Sequence, residues 1–197
     1  MRRVAVAFLA VPICLLLAVG SVAADTSPNG TNFSSSSSSC SMSGSRQLCT
    51  DIFLSVFSNE DGSDGPPCLQ ISKYSISSNG RFTSISDEFG CATGSGTVAI
   101  GADLSVAVSP TQIPLDTCNR RTCTSSRTVT VSASDTPIGP ISTTVTRSTT
   151  KSGNCTTKST TTDTFAELAG TLTIDGTVFD QTGFIDIFTT TETTHCK

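Results

Sequence analysis

Eight cysteines in an exported chain limit what this sequence can fold into more than any other feature. Of the nine cysteines, Cys14 lies inside an N-terminal segment built like an export signal. Met1-Arg2-Arg3 is a positively charged start, Val4 to Val19 is apolar apart from Pro12 among its neighbours, and Val22-Ala23-Ala24 is a small-residue cleavage site ahead of Asp25. The apolar run is too short and its exit too polar for a membrane span. Residues 1–24 are therefore expected to be a signal peptide, and its removal leaves an even set, Cys40, Cys49, Cys68, Cys91, Cys118, Cys123, Cys155 and Cys196. An even set in an oxidising compartment reads as a disulfide framework. The expected location is extracellular, secreted or at the cell surface, with no membrane span after cleavage.

Loss of Arg2 and Arg3 leaves 10 basic against 16 acidic residues, a net charge of −6 with the histidine neutral. Such a surface repels phosphate backbones and anionic lipid, and no basic run exceeds the dipeptide Arg120-Arg121, so nucleic acid is excluded as a partner. Charged residues are only 14% of the chain while Ser and Thr make up roughly a third, a composition for hydroxyl-covered strands rather than salt-laced helices. With no Trp and one Tyr, the core is expected from Val, Ile, Leu and the 10 Phe.

The serine run Ser34 to Ser39 dominates residues 25–46, where Phe33 and Met42 are the large apolar side chains. Composition predicts a flexible Ser-rich tail there, since it can bury little to offset its ordering entropy. Residues 47–197 read as one antiparallel β-domain. Ile52, Leu54 and Val56 alternate with Phe53, Ser55 and Phe57, the period of a strand with both faces partly covered. Asn79-Gly80 predicts a two-residue type I′ hairpin, because both central residues of that turn need positive φ. In that register opposed residue numbers sum to 159, which sets Cys68 opposite Cys91. Asp175-Gly176 predicts a second such turn, whose register sets Cys155 opposite Cys196; a Cys123 to Cys155 pairing also centres on a turn, at Gly139. Cys40 to Cys49 and Cys118 to Cys123 complete the expected pairing by proximity. Pro110 and Pro114 are expected to end the pairing of the strand that begins at Leu104. Nine or ten strands at short spacing predict an all-β fold, an antiparallel β-sandwich or barrel stapled by disulfides.

Chemistry is sparsely supplied. Cys118 and Cys123 form the one close cysteine pair, without the second pair or histidines that zinc needs. Asn59, Glu60, Asp61 and Asp64 supply hard oxygen ligands on one turn, the type calcium takes, but the EF-hand order fails, and a solvated acidic turn is the simpler reading. The one histidine, His195, sits beside Cys196, remote from any nucleophile and orienting acid; no catalytic residue and no cofactor is assigned. Among carboxylates, Glu88, Glu167, Asp180 and Asp186 are the candidates for a glycosidase pair, with Tyr74 and core-type Phe a thin supply of sugar-stacking rings. Arg120 and Arg121, between Cys118 and Cys123, form a candidate binding loop of the kind that fills the acidic pocket of trypsin-like proteases. Threonine tracts such as Thr189-Thr190-Thr191 follow from strand propensity, and their lack of a common period argues against an ice-binding ladder. Asn29, Asn32 and Asn154 head glycosylation-type sequons. These residues together predict a secreted or cell-surface, non-enzymatic β-domain with a binding or structural role toward an extracellular protein or surface. The alternatives are a protease inhibitor using Arg120-Arg121 and a hydrolase using two carboxylates.

Overall fold

The computed structural model describes residues 30–58, 65–93, 98–118 and 122–196. The signal segment 1–24 lies outside them, as do Asn29, Asn59, Glu60, Asp61, Asp64, Arg120 and Arg121. Ten strands are present among the described residues: β1 (Gly30–Ser43), β2 (Arg46–Phe57), β3 (Cys68–Ser77), β4 (Phe82–Cys91), β5 (Val98–Ile100), β6 (Val106–Cys118), β7 (Cys123–Pro137), β8 (Ser142–Ser152), β9 (Cys155–Ile174) and β10 (Thr177–Cys196). Every pairing is antiparallel, and hydrogen bonds run in order through β1, β2, β3, β4, β6, β7, β9 and β10, which then pairs back onto β1. Of the two architectures expected, the circuit closes as an eight-stranded barrel. β5 adds to β6, and β8 adds to the N-terminal half of β9.

Alternation explains which side chains go inside. Phe33, Ile52, Leu54, Val56, Leu69 and Ile71 point inward from β1, β2 and β3, opposite Ile113, Leu115, Val129, Val131, Leu168, Leu172 and Ile185, all nearly or fully buried. At about 25 cal/mol per Å² of apolar surface removed from water, each such side chain stabilises the fold by roughly 1.5–3 kcal/mol. The phenylalanines mostly go the other way. Phe53, Phe57, Phe82, Phe89, Phe165 and Phe184 are exposed on the outer wall, and Phe33 is the one fully buried ring among the described residues. Composition could not show this, because parity on a strand, not hydrophobicity, decides the side: Phe53 and Phe57 occupy odd positions of a strand whose even positions face the core.

The serine run is the main correction to the tail expected at residues 25–46. Residues 30–43 form β1, which pairs β10 from Gly30 to Ser36 and β2 along nearly its whole length. Serine suits this place because a barrel needs narrow positions where neighbouring strands bend close. Ser34 and Ser35 are buried, and a Cβ added at Gly183 of β10 would lie 2.0 Å from the Ser34 carbonyl oxygen. The ordering entropy of β1 is offset by Phe33 and by two ladders of hydrogen bonds.

Three bridges close hairpins between directly opposed residues: Cys40–Cys49, Cys68–Cys91 and Cys155–Cys196, with Cα separations of 4.1, 4.0 and 4.0 Å. Cys123 is also disulfide-bonded, and its backbone partner across the β6–β7 ladder is Cys118. Asp175 and Gly176 both take positive φ, 49° and 81°, as a two-residue I′ turn requires. The first hairpin differs from its expected form. Ser77 N–H donates to the Arg81 carbonyl, making the loop three residues, and of its members only Gly80 has positive φ. That shifts the register by one, and a bulge at Ile85 shifts it back between Lys73 and Tyr74. The two displacements cancel, so Cys68 still meets Cys91. Pro110 and Pro114 also depart from expectation, since β6 runs through both. The ladder to β7 skips Pro110 as a bulge, while Pro114 falls where β6 has no ladder partner on β4.

Removing residues 30–43 should open the ring and expose the Phe33 side of the core. The shortened chain is expected to lose its cooperative thermal transition in circular dichroism; retention of a midpoint within a few degrees of the full mature chain would contradict the central placement of β1.

Candidate functional site

The interior is filled by side chains, so the described residues enclose no ligand chamber of the kind larger barrels use. Three regions outside or within this wall hold the charged and polar groups that the sequence singles out. The Glu88 carboxylate on β4 meets Arg127 at 3.0 Å and accepts from Ser126 at 2.9 Å, and Arg127 lines a hollow shared with Asp175. Burial there works to raise its pKa, but the bonds from Arg127 and Ser126, with the Arg127 and Lys73 charges, hold it below the usual range. Glu88 is thus a paired structural carboxylate. Glu167 and Asp180 stand exposed on the outer wall. His195 lies exposed near the end of β10, opposite Thr156. Asn154 occupies an exposed hairpin tip with Gly153, whereas Asn32 is half-buried within β1. Among the described residues no group of three His, Cys, Asp or Glu side chains gathers in ligating distance of a metal.

Asp186 is different. The ladders put Phe165, Asp186, Asn32 and Phe57 in one row across β9, β10, β1 and β2, and Phe184 and Phe188 flank Asp186 along its own strand. Phe165 and Phe184 stack with centroids 5.8 Å apart. Phe188 reaches across β1 because residue 30 is glycine: a Cβ there would lie 2.0 Å from the Phe188 ring. Inside this aromatic frame Asp186 meets Asp163, which opposes Phe188 on β9. A carboxyl–carboxylate hydrogen bond with Asp163, then burial and the Asp163 charge, push Asp186 up to about 6, while the Asn32 amide pulls it down. One Asp186 oxygen, Oδ1, is buried without a hydrogen-bond partner. Across the outward positions of β9, β10, β1 and β2 on this wall stand Asp51, Asp163, Glu167, Asp180 and Asp186, without one Lys or Arg. No Lys or Arg at these outward positions offsets the effect of Asp163 on Asp186. Asp163 is absent from the candidates read by residue type, yet the register that opposes Cys155 to Cys196 already puts it on the same face as Asp186.

The third region is inside. Ser35 Oγ donates to Gln181 Oε1 at 2.9 Å, and Gln181 Nε2 donates to Asp135 Oδ2 at 2.7 Å. Gly170 lies between them, paired with Gln181 on one side and Asp135 on the other. Its missing Cβ leaves the space through which the two side chains meet, since an added one would lie 2.6 Å from Asp135 Oδ1. That oxygen has no partner among the described residues. Burial pushes Asp135 up to about 6, against the opposing pull of the Gln181 amide. Without solvent access this network is a stability element rather than a reaction site.

Both aspartates make stability depend on pH. Folded Asp135 keeps its proton to about pH 6, whereas the unfolded chain releases it near 4. Between these values the folded state binds more protons, so stability is greatest below about pH 4 and falls as pH rises through 6. Asp135→Asn should raise stability at pH 7 by about 1–3 kcal/mol and leave it nearly unchanged at pH 4, measured by urea unfolding. An equal effect at both pH values would show that Asp135 does not titrate in this window. Asp163→Asn should return Asp186 toward the ordinary carboxylate range, read as the carboxyl ¹³C titration of Asp186; an unmoved Asp186 would mean that Asp163 is not what raises it. Comparison of the chain with protein-family models, with curated proteins and with solved structures finds no match, so its function is argued from this geometry.

Proposed function

We propose that the protein is an exported, non-enzymatic binding domain that works through the outer wall of its barrel, where the phenylalanine-framed Asp163–Asp186 pair receives a cationic side chain of a basic extracellular partner. The observation that carries this reading is the buried, unpartnered Asp186 Oδ1 within a frame of four rings. Burying a carboxylate without a counter-ion is costly, and an incoming guanidinium or ammonium supplies the missing charge. Ring faces beside the carboxylates add cation–π attraction of about 0.5–2 kcal/mol. The disulfides hold the wall in one shape, which lowers the ordering cost of binding. They also fit an extracellular or otherwise oxidising setting.

The hydrolase alternative is less well supported. Glycosidase carboxyls stand at least about 5 Å apart and flank a cleft that holds the sugar between them, whereas Asp163 and Asp186 are near neighbours on one open wall, and the Asp163 carboxyl acts directly on that of Asp186. A proton shared between two aspartates also serves acid proteolysis, but that chemistry needs substrate clamped over the pair. Here the adjoining hollow, about 370 Å³ and lined by Phe165, Phe184, Ile138 and Glu167, is open. Protease inhibition by Arg120-Arg121 rests on residues outside those described.

Titration with an arginine-rich peptide of six to eight residues as the probe tests the reading. Binding should be tighter at pH 7.5 than at pH 5, release protons near pH 6, and fall at least tenfold in Asp186→Asn and in Phe184→Ala. Equal affinity for an acidic peptide, or no change in these variants, would overturn it.

A further inference from the structure

β8, residues 155–165 of β9 and residues 186–196 of β10 form a three-stranded arm that extends the barrel wall past its rim. β8 hydrogen-bonds to β9 alone, and β10 beyond Phe188 has no described neighbour except β9. All eleven side chains of β8 are exposed. A strand with one covered face would alternate, so the described residues cover neither face of β8.

The ladders sort the arm's charges completely. On the face continuous with the barrel interior stand Arg147, Lys151, Lys158 and His195, and no carboxylate. On the face continuous with the outer wall stand Asp163, Asp186 and Glu192, and no cation. The remaining positions are Ser and Thr apart from Val145, Phe165, Ile187, Phe188 and the bridged Cys155 and Cys196, so each face is a hydroxyl-rich surface carrying one sign of charge. Cross-strand pairs such as Thr157 with Thr194, at 2.8 Å, and Thr161 with Thr190, at 3.1 Å, tie hydroxyls to one another along it.

From this opposition of faces we infer that the arm binds a second copy of the same chain, the basic face of one arm stacking on the acidic face of the next. The partner is argued from charge: each copy carries both halves of the contact, and the contact is heterologous, so copies add in series rather than closing as a two-fold pair. Sheets stack about 10 Å apart and strands lie about 4.8 Å apart, so three strands of eleven residues offer roughly 450 Å² per face, or roughly 900 Å² buried in total. That is below the roughly 1,200 Å² of stable specific interfaces and in the size class of weak, transient ones. The association is therefore weak, reversible and salt-sensitive, and the net charge of the mature chain opposes long series.

Sedimentation of the mature, disulfide-bonded chain tests this. The average mass should rise above the monomer toward about 0.5 mM protein in about 50 mM salt, and return to monomer in about 500 mM salt. Arg147→Glu with Lys158→Glu makes both faces acidic, and Asp163→Lys with Glu192→Lys makes both basic. Each variant alone should remain monomeric with a thermal midpoint near that of the parent, and an equimolar mixture should associate, because each then meets its opposite. A parent that stays monomeric, variants that still self-associate, or a mixture of folded variants that does not associate would each overturn the proposal.

Discussion

Closure of the hydrogen-bonded ring is the constraint from which the rest follows. β10 pairs β9 on one edge and β1 on the other, and without that double pairing the sheet would expose two edges and one face of its apolar positions. Closing eight strands leaves an interior that ordinary side chains fill. Leucine, isoleucine and valine occupy it nearly throughout, with glycine where strands approach too closely for a Cβ and small serine side chains buried among them. Among the described residues the inside of the fold is therefore packed with apolar side chains.

The same closure explains why polar groups end up in strained company. Asp135 is carried inward by the alternation of β7, and the missing side chain of Gly170 lets it meet Gln181 rather than stand alone. Asp186 is carried outward, but its neighbours on four strands are large rings and another carboxylate. Burial raises the pKa of Asp135, and the hydrogen bond with Asp163, with burial, raises that of Asp186, both to about 6 and so above the range of a solvated carboxylate. One is enclosed and can only modulate stability; the other lies on an open wall, where a partner can complete it.

Register carried more information than composition. Cysteine positions and the two glycine turns specified three cross-strand bridges, and the Asp175-Gly176 turn ordered twenty residues of β9 against twenty of β10, from which the charge sorting of the arm follows. Composition misled where it was used alone. Ser34 to Ser39 looked too polar to be ordered, and the phenylalanines looked like core, because both judgements ignored which neighbours a strand would meet. The Asn79-Gly80 register came out right at Cys68 and Cys91 through two opposite one-residue shifts, a longer loop and the bulge at Ile85, neither of which has a signature in residue type.

By itself the sequence determined an all-β chain, its antiparallel hairpins and three of its cysteine pairings, because these depend on local alternation, positive-φ turns and short-range spacing. Only the tertiary structure decided that the sheet closes, that β1 is part of the ring, and that Asn32 and Phe57 join the patch of Asp163, Asp186 and three phenylalanines on the β9–β10 hairpin. Those features join residues more than a hundred positions apart, such as Asn32 and Asp186. Contacts of that range are set by how all the strands twist and close together, and no local pattern encodes them.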